Sequence, residues 1–230
     1  MFMNYPGYRS LSDVACRLNQ LYTNQMTPER KARIEAVARR RQADLTVFLE
    51  QVHKPHNFAA IIRTCDAVGV SQAHAVPARE GLPTLNHTSQ GAQRWVTVHR
   101  HRDAADGLKE LKAAGFTLYA AHFSDQAVDF REPDYTRPSA IVLGTEKFGI
   151  SETALALCDI EIHIPMMGMA QSLNVSVACA LILYEAQRQR QAAGLYEPID
   201  PDQEPARSLI GAWSAREAAR KKTPTEPDQG

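Results

Sequence analysis

The sequence predicts an α/β fold in which a mostly parallel sheet is covered by helices on both faces. From Leu45 to about Gln191, short apolar segments with strand character alternate with segments of helical periodicity, and this alternation is typical of parallel strands joined by helices. The 230 residues, 44% hydrophobic and 23% charged, suffice for one sizeable domain with short appendages. We therefore expect an N-terminal extension at 1–44, a central domain at 45–191 and a C-terminal tail at 192–230.

The N-terminal extension is predicted to end in a basic helix. Thr27 suits the N-cap and Pro28 the first helical position, and the helix is predicted to run to about Arg41. Six basic and two acidic residues lie between Pro28 and Arg41, a local net charge of +4 in a chain whose 26 Lys and Arg balance 26 Asp and Glu. The apolar stripe of this helix is thin, so core packing does not require the cations. They predict phosphate binding.

The central domain is predicted to contain six strands and three helices. The predicted strands are 45–52, 73–76, 95–99, 116–123, 139–144 and 160–166, and the predicted helices are 56–70, 102–114 and 173–191. Gly69 and Gly115 favour helix ends. The first three turns of the last helix are apolar all round, which predicts burial, and its polar end after Glu185 is expected in solvent. In the tail we expect a loop, a helix at 205–221 and then disorder.

Composition and spacing exclude several classes of protein. The four cysteines are far apart and form no CxxC pair, so a metal site is not expected, and Cys65 and Cys179 are predicted to be buried small hydrophobes. No apolar run reaches the length of a membrane span, and the N-terminus lacks a signal-peptide core. We expect a cytoplasmic protein with no membrane segment and no metal.

Three loops that follow predicted strands combine glycine or proline with polar side chains. They are HKPHN at 53–57, LGTEKFG at 143–149 and IPMMGMAQSLN at 164–174. Ligands of open parallel sheets bind beyond the carboxyl ends of the strands. The first strand is not followed by GxGxxG, GTEKFG lacks P-loop spacing, and Ser172 is not in a GxSxG motif, so a dinucleotide fold, a P-loop and a serine hydrolase are disfavoured.

Three segments resemble, in order and separation, the motifs of the SPOUT superfamily of RNA methyltransferases. They are HNFAAIIRTCDAVG, LGTEKFGI and IPMMGMAQSLNVSVACALILYEAQRQR. Over about 45–191 the chain is similar in particular to the SpoU/TrmH family of ribose 2′-O-methyltransferases. The resemblance implies a deep trefoil knot, S-adenosyl-L-methionine as the cofactor, and a homodimer with the active site at the subunit interface. It also implies methylation of the ribose of a D-loop guanosine in tRNA.

The resemblance also implies roles for individual residues. The expected catalytic residues are Arg63, Asn57, Glu146, Ser172 and Asn174. The expected cofactor-binding residues are Ala121, Leu143, Gly144, Ile164, Met166, Ser172 and Leu173. Four of these residues also have an alternative structural role: Asn57 as a helix N-cap, Ser172 as a cap of the last helix, Asn174 as a residue that satisfies backbone groups in the first turn of that helix, and Glu146 as a solvated loop carboxylate.

The chemical difficulty of this reaction lies in the nucleophile, because a ribose hydroxyl is a weak acid and must lose its proton as it attacks. The resemblance assigns this role to Arg63. An arginine side chain carries no acceptor and is normally protonated. Either Arg63 holds an RNA phosphate that takes the proton, which we favour, or its own protonation is strongly perturbed.

We expect the basic helix to be the main RNA-binding element, with scattered basic residues as weaker candidates. The expected RNA-binding residues are Arg39, Arg40, Arg41, Lys54, Arg94, Arg188 and Arg190. Such contacts position RNA without selecting a base. Two alternative functions remain: methylation of a ribosomal RNA ribose, and RNA binding without catalysis on the same fold. The short predicted extension before the first strand favours tRNA over ribosomal RNA.

Overall fold

The computed structural model describes residues 26–78, 91–145 and 148–220. In chain order its elements are α1 (Pro28–Ala38), β1 (Leu45–Glu50), α2 (Pro55–Ala67), β2 (Gln72–Val76), a 3-10 turn (Ala92–Arg94), β3 (Thr97–Arg100), α3 (Ala104–Ala113), β4 (Thr117–Ala121), β5 (Val128–Asp129), β6 (Ser139–Leu143), α4 (Glu152–Leu155), β7 (Ile160–His163), α5 (Val175–Ala192) and α6 (Ala206–Arg220). The disorder predicted beyond 221 lies outside the described residues.

The seven strands form one sheet in the order β3-β2-β1-β6-β4-β7-β5. All of the paired strands run parallel. The predicted α/β class and its parallel sheet are confirmed. The sequence patterns missed β5 and α4, which have two and four residues, because elements this short show no periodicity.

The predicted helix boundaries are confirmed where a capping residue defined them. Thr27 Oγ1 accepts a hydrogen bond from the backbone N–H of Arg30, and Pro28 begins α1. Gly69 follows α2 with a φ of +85°, a conformation that favours glycine after a helix. The end of α1 was predicted at about Arg41, but the helix ends at Ala38.

The central strands lie between two apolar layers. All six residues of β1 are buried, as expected for a strand inside a covered parallel sheet. On one face α2 and α5 pack through residues such as Phe58 and Ile182. On the other face α3 packs through Leu108 against Phe48. Cys65 and Cys179 are buried in the first layer, as predicted.

The apolar first half of α5 is not buried all round, so that prediction is wrong. Val177, Leu181 and Tyr184 are 45%, 41% and 51% exposed. Their spacing of four and three residues places them on one face. The opposite face packs against α2 and the sheet, and nothing in the described part of the chain covers this one.

Arg190, at the C-terminal end of α5, was predicted to lie in solvent and to bind RNA; the predicted exposure is wrong, and the burial argues against the RNA contact. Its side chain is fully buried and pairs with Asp44, with 2.6 Å between Arg190 Nη1 and Asp44 Oδ1. It also donates to Gln42 Oε1 and to the backbone oxygens of Asp44, Tyr135 and Arg137. Arg190 therefore connects the end of α5 to the start of β1.

Arg41 is also buried and largely paired within the fold, so its predicted RNA contact stays a prediction. Its side chain is 2% exposed and forms an ion pair with the Asp66 carboxylate. It donates to the carbonyl of Val70 at 3.0 Å and lies over the ring of Trp213 in α6. Together with Ile34 and Ala38 of α1, Trp213 forms a small separate core between α1 and α6. Arg41 anchors this helix pair to the sheet domain.

A histidine cluster lies at the β3 edge of the sheet. The ring of His74 stacks on those of His99 and His101 with centroid distances of 5.0 and 5.1 Å. His74 Nδ1 is 2.8 Å from His101 Nε2. Burial first, and then the two neighbouring imidazoles, lower the pKa of His74 from 6.5 to about 4. His74 is therefore neutral in the folded protein at neutral pH.

We predict that the free energy of unfolding decreases as the pH falls from 6.5 to about 4. In this window the unfolded chain protonates His74 before the folded protein does, so acid favours unfolding; above it this contribution stays constant. Denaturant titrations of the wild type and His74→Leu measure the effect. The variant should lose less stability across the window, whereas a variant of the exposed His53, His53→Leu, should follow the wild type. Equal pH slopes for the wild type and His74→Leu would contradict the prediction.

None of the helices in the described ranges is long and apolar enough to cross a membrane. Within the same ranges, no three His, Cys, Asp or Glu side chains are grouped so that they could hold a metal ion.

Candidate active site

The three loops singled out in the sequence follow strands that lie side by side. β1, β6, β4 and β7 are consecutive in the sheet, and the parallel pairing brings their carboxyl ends to one edge. Leu143, Ala121 and Ile164 stand at or just after three of these ends. This edge is where open parallel sheets bind ligands.

The loop after β6 is a tight turn that requires glycine. The backbone N–H groups of Thr145 and Gly149 each donate to the carbonyl of the other at 2.9 Å. A Cβ atom on Gly144 would lie 2.0 Å from the Gly149 oxygen, so only glycine fits there. Glu146 and Lys147 lie outside the described residues, and the predicted catalytic role of Glu146 therefore stays a prediction.

A buried carboxylate fixes the far end of this loop, and the sequence patterns did not indicate it. Glu50, the last residue of β1, accepts hydrogen bonds from Ser151 N at 2.8 Å and from Ser151 Oγ at 2.6 Å. Ser151 is also the N-cap of α4. An acidic residue ending an otherwise apolar strand was the available signal, because a buried carboxylate needs a partner. Glu50 ties the loop to the neighbouring strand.

Asn57 and Asn174 meet in the structure although 117 positions separate them in sequence. Asn174 Nδ2 donates to Asn57 Oδ1 at 3.1 Å. Asn174 is the N-cap of α5, and its Oδ1 accepts from the N–H of Ser176 at 2.8 Å. Asn174 thus satisfies a backbone N–H in the first turn of α5, as predicted, and because it occupies the N-cap position, the capping role predicted for Ser172 is wrong.

The capping role weighed for Asn57 is wrong. Lys54 occupies the N-cap position of α2, and Asn57 lies inside the first turn, 2% exposed. Its amide is therefore positioned by its contact with Asn174 and by burial.

Arg63 and Ser172 are both exposed. Arg63 lies on α2 six residues beyond Asn57, about 9 Å further along the helix axis. His56 and Ala67 are exposed at helical spacing on the same face as Arg63. Ser172 precedes α5 by three residues, so it lies near Asn174 in the chain. The structure thus joins two of the three motifs through the asparagine pair and leaves Arg63 accessible to a substrate.

The predicted cofactor residues form a partly covered apolar group at the same edge. Leu143 and Gly144 are buried, and four others are half-buried: Ala121, Ile164, Met166 and Leu173. Next to them Met167 and Met169 are 96% and 100% exposed. Strand-end backbone groups and adaptable thioether side chains are features of small-molecule binding sites.

The remaining predicted RNA-binding residues vary in accessibility. Arg40, Lys54 and Arg188 are exposed, although Arg188 pairs with Glu185 at 2.7 Å. Arg94 is half-buried. Arg39 is half-buried and donates to the Ile199 carbonyl at 2.6 Å, so part of its side chain is already used within the fold.

The fold and the site define an α/β protein with a ligand site at the carboxyl edge of a parallel sheet, built from a β6 turn and the start of α5. The chain belongs to the SpoU rRNA Methylase family, whose family model matches residues 44–184. It is 56% identical over 189 residues to the tRNA (guanosine(18)-2′-O)-methyltransferase of Thermus thermophilus, and the match covers 82% of this chain and 97% of the relative.

Two solved structures extend the comparison. The Aquifex aeolicus TrmH/SpoU tRNA modifying enzyme superposes with a TM-score of 0.77 at 41% identity, covering 82% of this chain and 96% of that one. The SpoU methyltransferase AviRb of Streptomyces viridochromogenes, in complex with the cofactor AdoMet, matches with a TM-score of 0.58 at 30% identity, covering 66% of this chain and 62% of that one.

Proposed function

We propose that this protein transfers a methyl group from S-adenosyl-L-methionine to the 2′-hydroxyl of a D-loop guanosine in tRNA. The contact between Asn57 and Asn174 is the observation that carries the proposal, because it brings the first and third motif segments into one site. The high identity to a named tRNA (guanosine(18)-2′-O)-methyltransferase over nearly its whole length favours tRNA over ribosomal RNA. With tRNA as the substrate, the cytoplasm is the proposed compartment.

The residues of the sheet edge fit the proposed cofactor. Leu143, Gly144 and Ala121 would hold it through strand-end backbone, and Ile164 and Met166 through half-buried apolar side chains. Ser172 and Leu173 would complete this pocket at the entrance to α5. The cofactor supplies a methyl group that its sulfonium already activates, so the protein's main task concerns the hydroxyl that attacks.

Arg63 is the side chain that we assign to that task. It is exposed on α2, so it can meet an RNA phosphate from solvent and hold it in a bidentate contact. The phosphate oxygen is then the acceptor for the proton of the 2′-hydroxyl. Asn57, Asn174 and Ser172 would orient the ribose, and Glu146 would position Arg63 or the substrate.

A homodimer is part of the proposal. The exposed apolar face of α5, formed by Val177, Leu181 and Tyr184, lies away from the face that packs against α2, and a second copy of the chain would cover it. Patches of this kind on a folded protein mark interaction surfaces. The helix begins at Asn174 of the candidate site, so an interface along its first turns would bring the partner near that site.

We also propose that the chain is knotted as in the resembling family. The order of the strands supports this, because β6 lies between β1 and β4 while the β6 loop and the segment before α5 share one edge. The C-terminal part of the sheet domain would pass through a loop formed by the chain before it. True knots are rare in proteins, so the proposal of a knot rests mainly on the resemblance to the family.

The dimer leads to a prediction about Leu181, which is 41% exposed. Leu181→Glu should convert the dimer to a monomer, because a charge would be buried at the interface without a partner. Light scattering during size-exclusion chromatography measures the mass. Leu195→Glu is the matched control, since Leu195 is 42% exposed but lies beyond α5. A dimeric Leu181→Glu, or a monomeric wild type, would contradict the interface.

The proposed function is tested by incubating the protein with labelled S-adenosyl-L-methionine and separate pools of tRNA and ribosomal RNA. Label is expected in the tRNA pool. Label in the ribosomal pool alone would favour the ribosomal alternative, and label in neither pool, with RNA still bound, would favour the non-catalytic one.

A further inference from the structure

A large cleft lies at the C-terminal end of α2, away from the asparagine pair at the start of that helix. It has a volume of about 520 Å³ and lies between α1, α6 and the C-terminal end of α2. Asn57 lies at one end of α2, and Asp66, which lines the cleft, lies at the other, about 14 Å along the helix axis. The volume falls in the range of small-molecule binding sites. Arg63 lies nearer, three residues before Asp66 or about 4.5 Å along the axis, but none of the described residues assigned to methyl transfer lines the cleft.

The cleft is strongly basic. Four arginines line it, Arg30, Arg33, Arg40 and Arg41, and Asp66 is the one carboxylate among the described residues of its lining. Two of these cations are already paired, Arg30 with Glu217 at 3.2 Å and Arg41 with Asp66. Arg33 and Arg40 are exposed and form no ion pair with any residue that the structure describes. The cleft therefore has an uncompensated positive charge at its open side, which favours an anion.

Aromatic rings line the inner part of the cleft. Trp95 and Trp213 meet edge to face with centroids 5.2 Å apart. Tyr196 lies nearby, held by a hydrogen bond from its hydroxyl to the carbonyl of Val68. Arg30 lies over the Trp95 ring at 5.0 Å and Trp213 is 2% exposed, so a flat aromatic group would pack against the half-buried Trp95 and Tyr196 rather than on Trp213.

A buried donor in the wall of the cleft has no partner. Arg41 is 2% exposed at its side chain and lines the cleft. Among the buried side-chain atoms of the described residues, only its Nε makes no hydrogen bond. Buried donors without a partner are rare in folded proteins, and an oxygen of a bound ligand could accept this bond.

We propose that this cleft binds a nucleotide of the RNA substrate other than the one that is methylated. Arg33 and Arg40 hold its phosphate at the open side, and its base enters beside Trp95 and Tyr196. Single-stranded loops of RNA present bases in this way, stacked on aromatic side chains. The assignment to RNA rests on the proposed function, whereas the recognition of a phosphate with an aromatic base rests on the cleft alone.

The two tryptophans of the chain are Trp95 and Trp213, so intrinsic fluorescence reports on this cleft directly. Titration of the full-length protein with guanosine 5′-monophosphate, without cofactor, should give saturable quenching with a Kd below about 1 mM. Inorganic phosphate alone should bind more weakly, because it lacks the base. No saturable quenching at millimolar nucleotide would overturn the proposal. Because no methyl transfer is involved, this result is independent of whether the enzymatic function holds.

A variant that fills the cleft tests both the location of the site and whether its ligand is part of an RNA or a free nucleotide. Ala36 lines the cleft and is exposed on α1, and Ala32, one turn earlier, is exposed but does not line it. Ala36→Phe should weaken both guanosine 5′-monophosphate and tRNA binding by at least about tenfold, and Ala32→Phe should change neither. Circular dichroism checks folding, and Arg33→Gln provides a second variant with the same expected direction.

Three outcomes would contradict the assignment. Wild-type nucleotide affinity in both Ala36→Phe and Arg33→Gln would exclude the cleft. A loss of nucleotide binding with unchanged tRNA affinity would mean that the cleft takes a free nucleotide, which overturns the assignment to RNA. Equal losses in Ala36→Phe and Ala32→Phe would show a general effect on α1.

Discussion

Arg63→Ala is expected to lower the rate of methyl transfer by about 10²- to 10⁴-fold, the range typical of a lost proton-transfer group. The affinity for S-adenosyl-L-methionine should stay nearly unchanged, because the residues proposed to hold the cofactor follow β4, β6 and β7, whereas Arg63 lies on the exposed face of α2. Single-turnover methylation of tRNA and calorimetric titration of the cofactor measure the two quantities separately.

Two further variants sharpen this prediction. Arg63→Lys keeps the charge but loses the planar fork, so it should recover part of the rate if Arg63 holds a phosphate. Arg137→Ala removes another exposed arginine, at the other end of the sheet before β6, and should have wild-type rates. Full activity in Arg63→Ala would remove Arg63 from the mechanism. Loss of cofactor binding in that variant would instead give it a place in the cofactor pocket.

Arg190→Met is expected to destabilise the folded protein by about 2–4 kcal/mol, because it leaves several buried oxygens unpaired, although the Asp44 carboxylate, 47% exposed at its side chain, can take up water in place of the guanidinium. The guanidinium donates five hydrogen bonds, and its loss would leave the Asp44 carboxylate and three backbone oxygens without this donor. The free energy of unfolding from denaturant titration measures the effect. A loss of this size is a large fraction of the stability of a typical domain.

The matched control for Arg190 is its neighbour on the same helix. Arg188 is 68% exposed at its side chain and pairs with Glu185, and exposed pairs contribute at most about 1 kcal/mol. Arg188→Ala should therefore change stability little. If Arg190→Met instead kept wild-type stability and lost affinity for tRNA, the interpretation of Arg190 as an RNA contact would be right.

The fold was predictable where the chain carries periodicity and capping residues. Leu45 and the residues that follow form a buried strand, Thr27 caps α1, and Gly69 ends α2, all of which short-range patterns indicate. β5 has two residues and is a strand only because β7 lies beside it. No local pattern contains that information.

The arginines show why charge in a sequence is a weak guide to exposure. Arg39, Arg40 and Arg41 are consecutive, yet only Arg40 is exposed. Arg41 and Arg190 are buried because carboxylates and carbonyl groups distant in the chain complete their hydrogen bonds. These acceptors are set by tertiary structure, so a run such as QRQRQ looks solvated when read alone.

The site was predictable in part because its residues belong to loops after strands. The contact between Asn57 and Asn174 joins segments that the strand-end argument had already brought to one edge. Glu50 was missed because it ends an apolar strand and its partner, Ser151, lies 101 residues away. The open face of α5 was also missed, since an apolar helix in a sequence does not reveal whether its own chain or a second copy covers it.

The central claim is that this edge of the sheet delivers a methyl group to a ribose hydroxyl. A tRNA in which the D-loop guanosine at position 18, the position named in the relative, is replaced by 2′-deoxyguanosine tests this most directly. The account predicts that the deoxy tRNA binds with unchanged affinity but accepts no methyl group, while the unmodified tRNA yields 2′-O-methylguanosine. Methyl transfer to the deoxy tRNA at the same rate would contradict it.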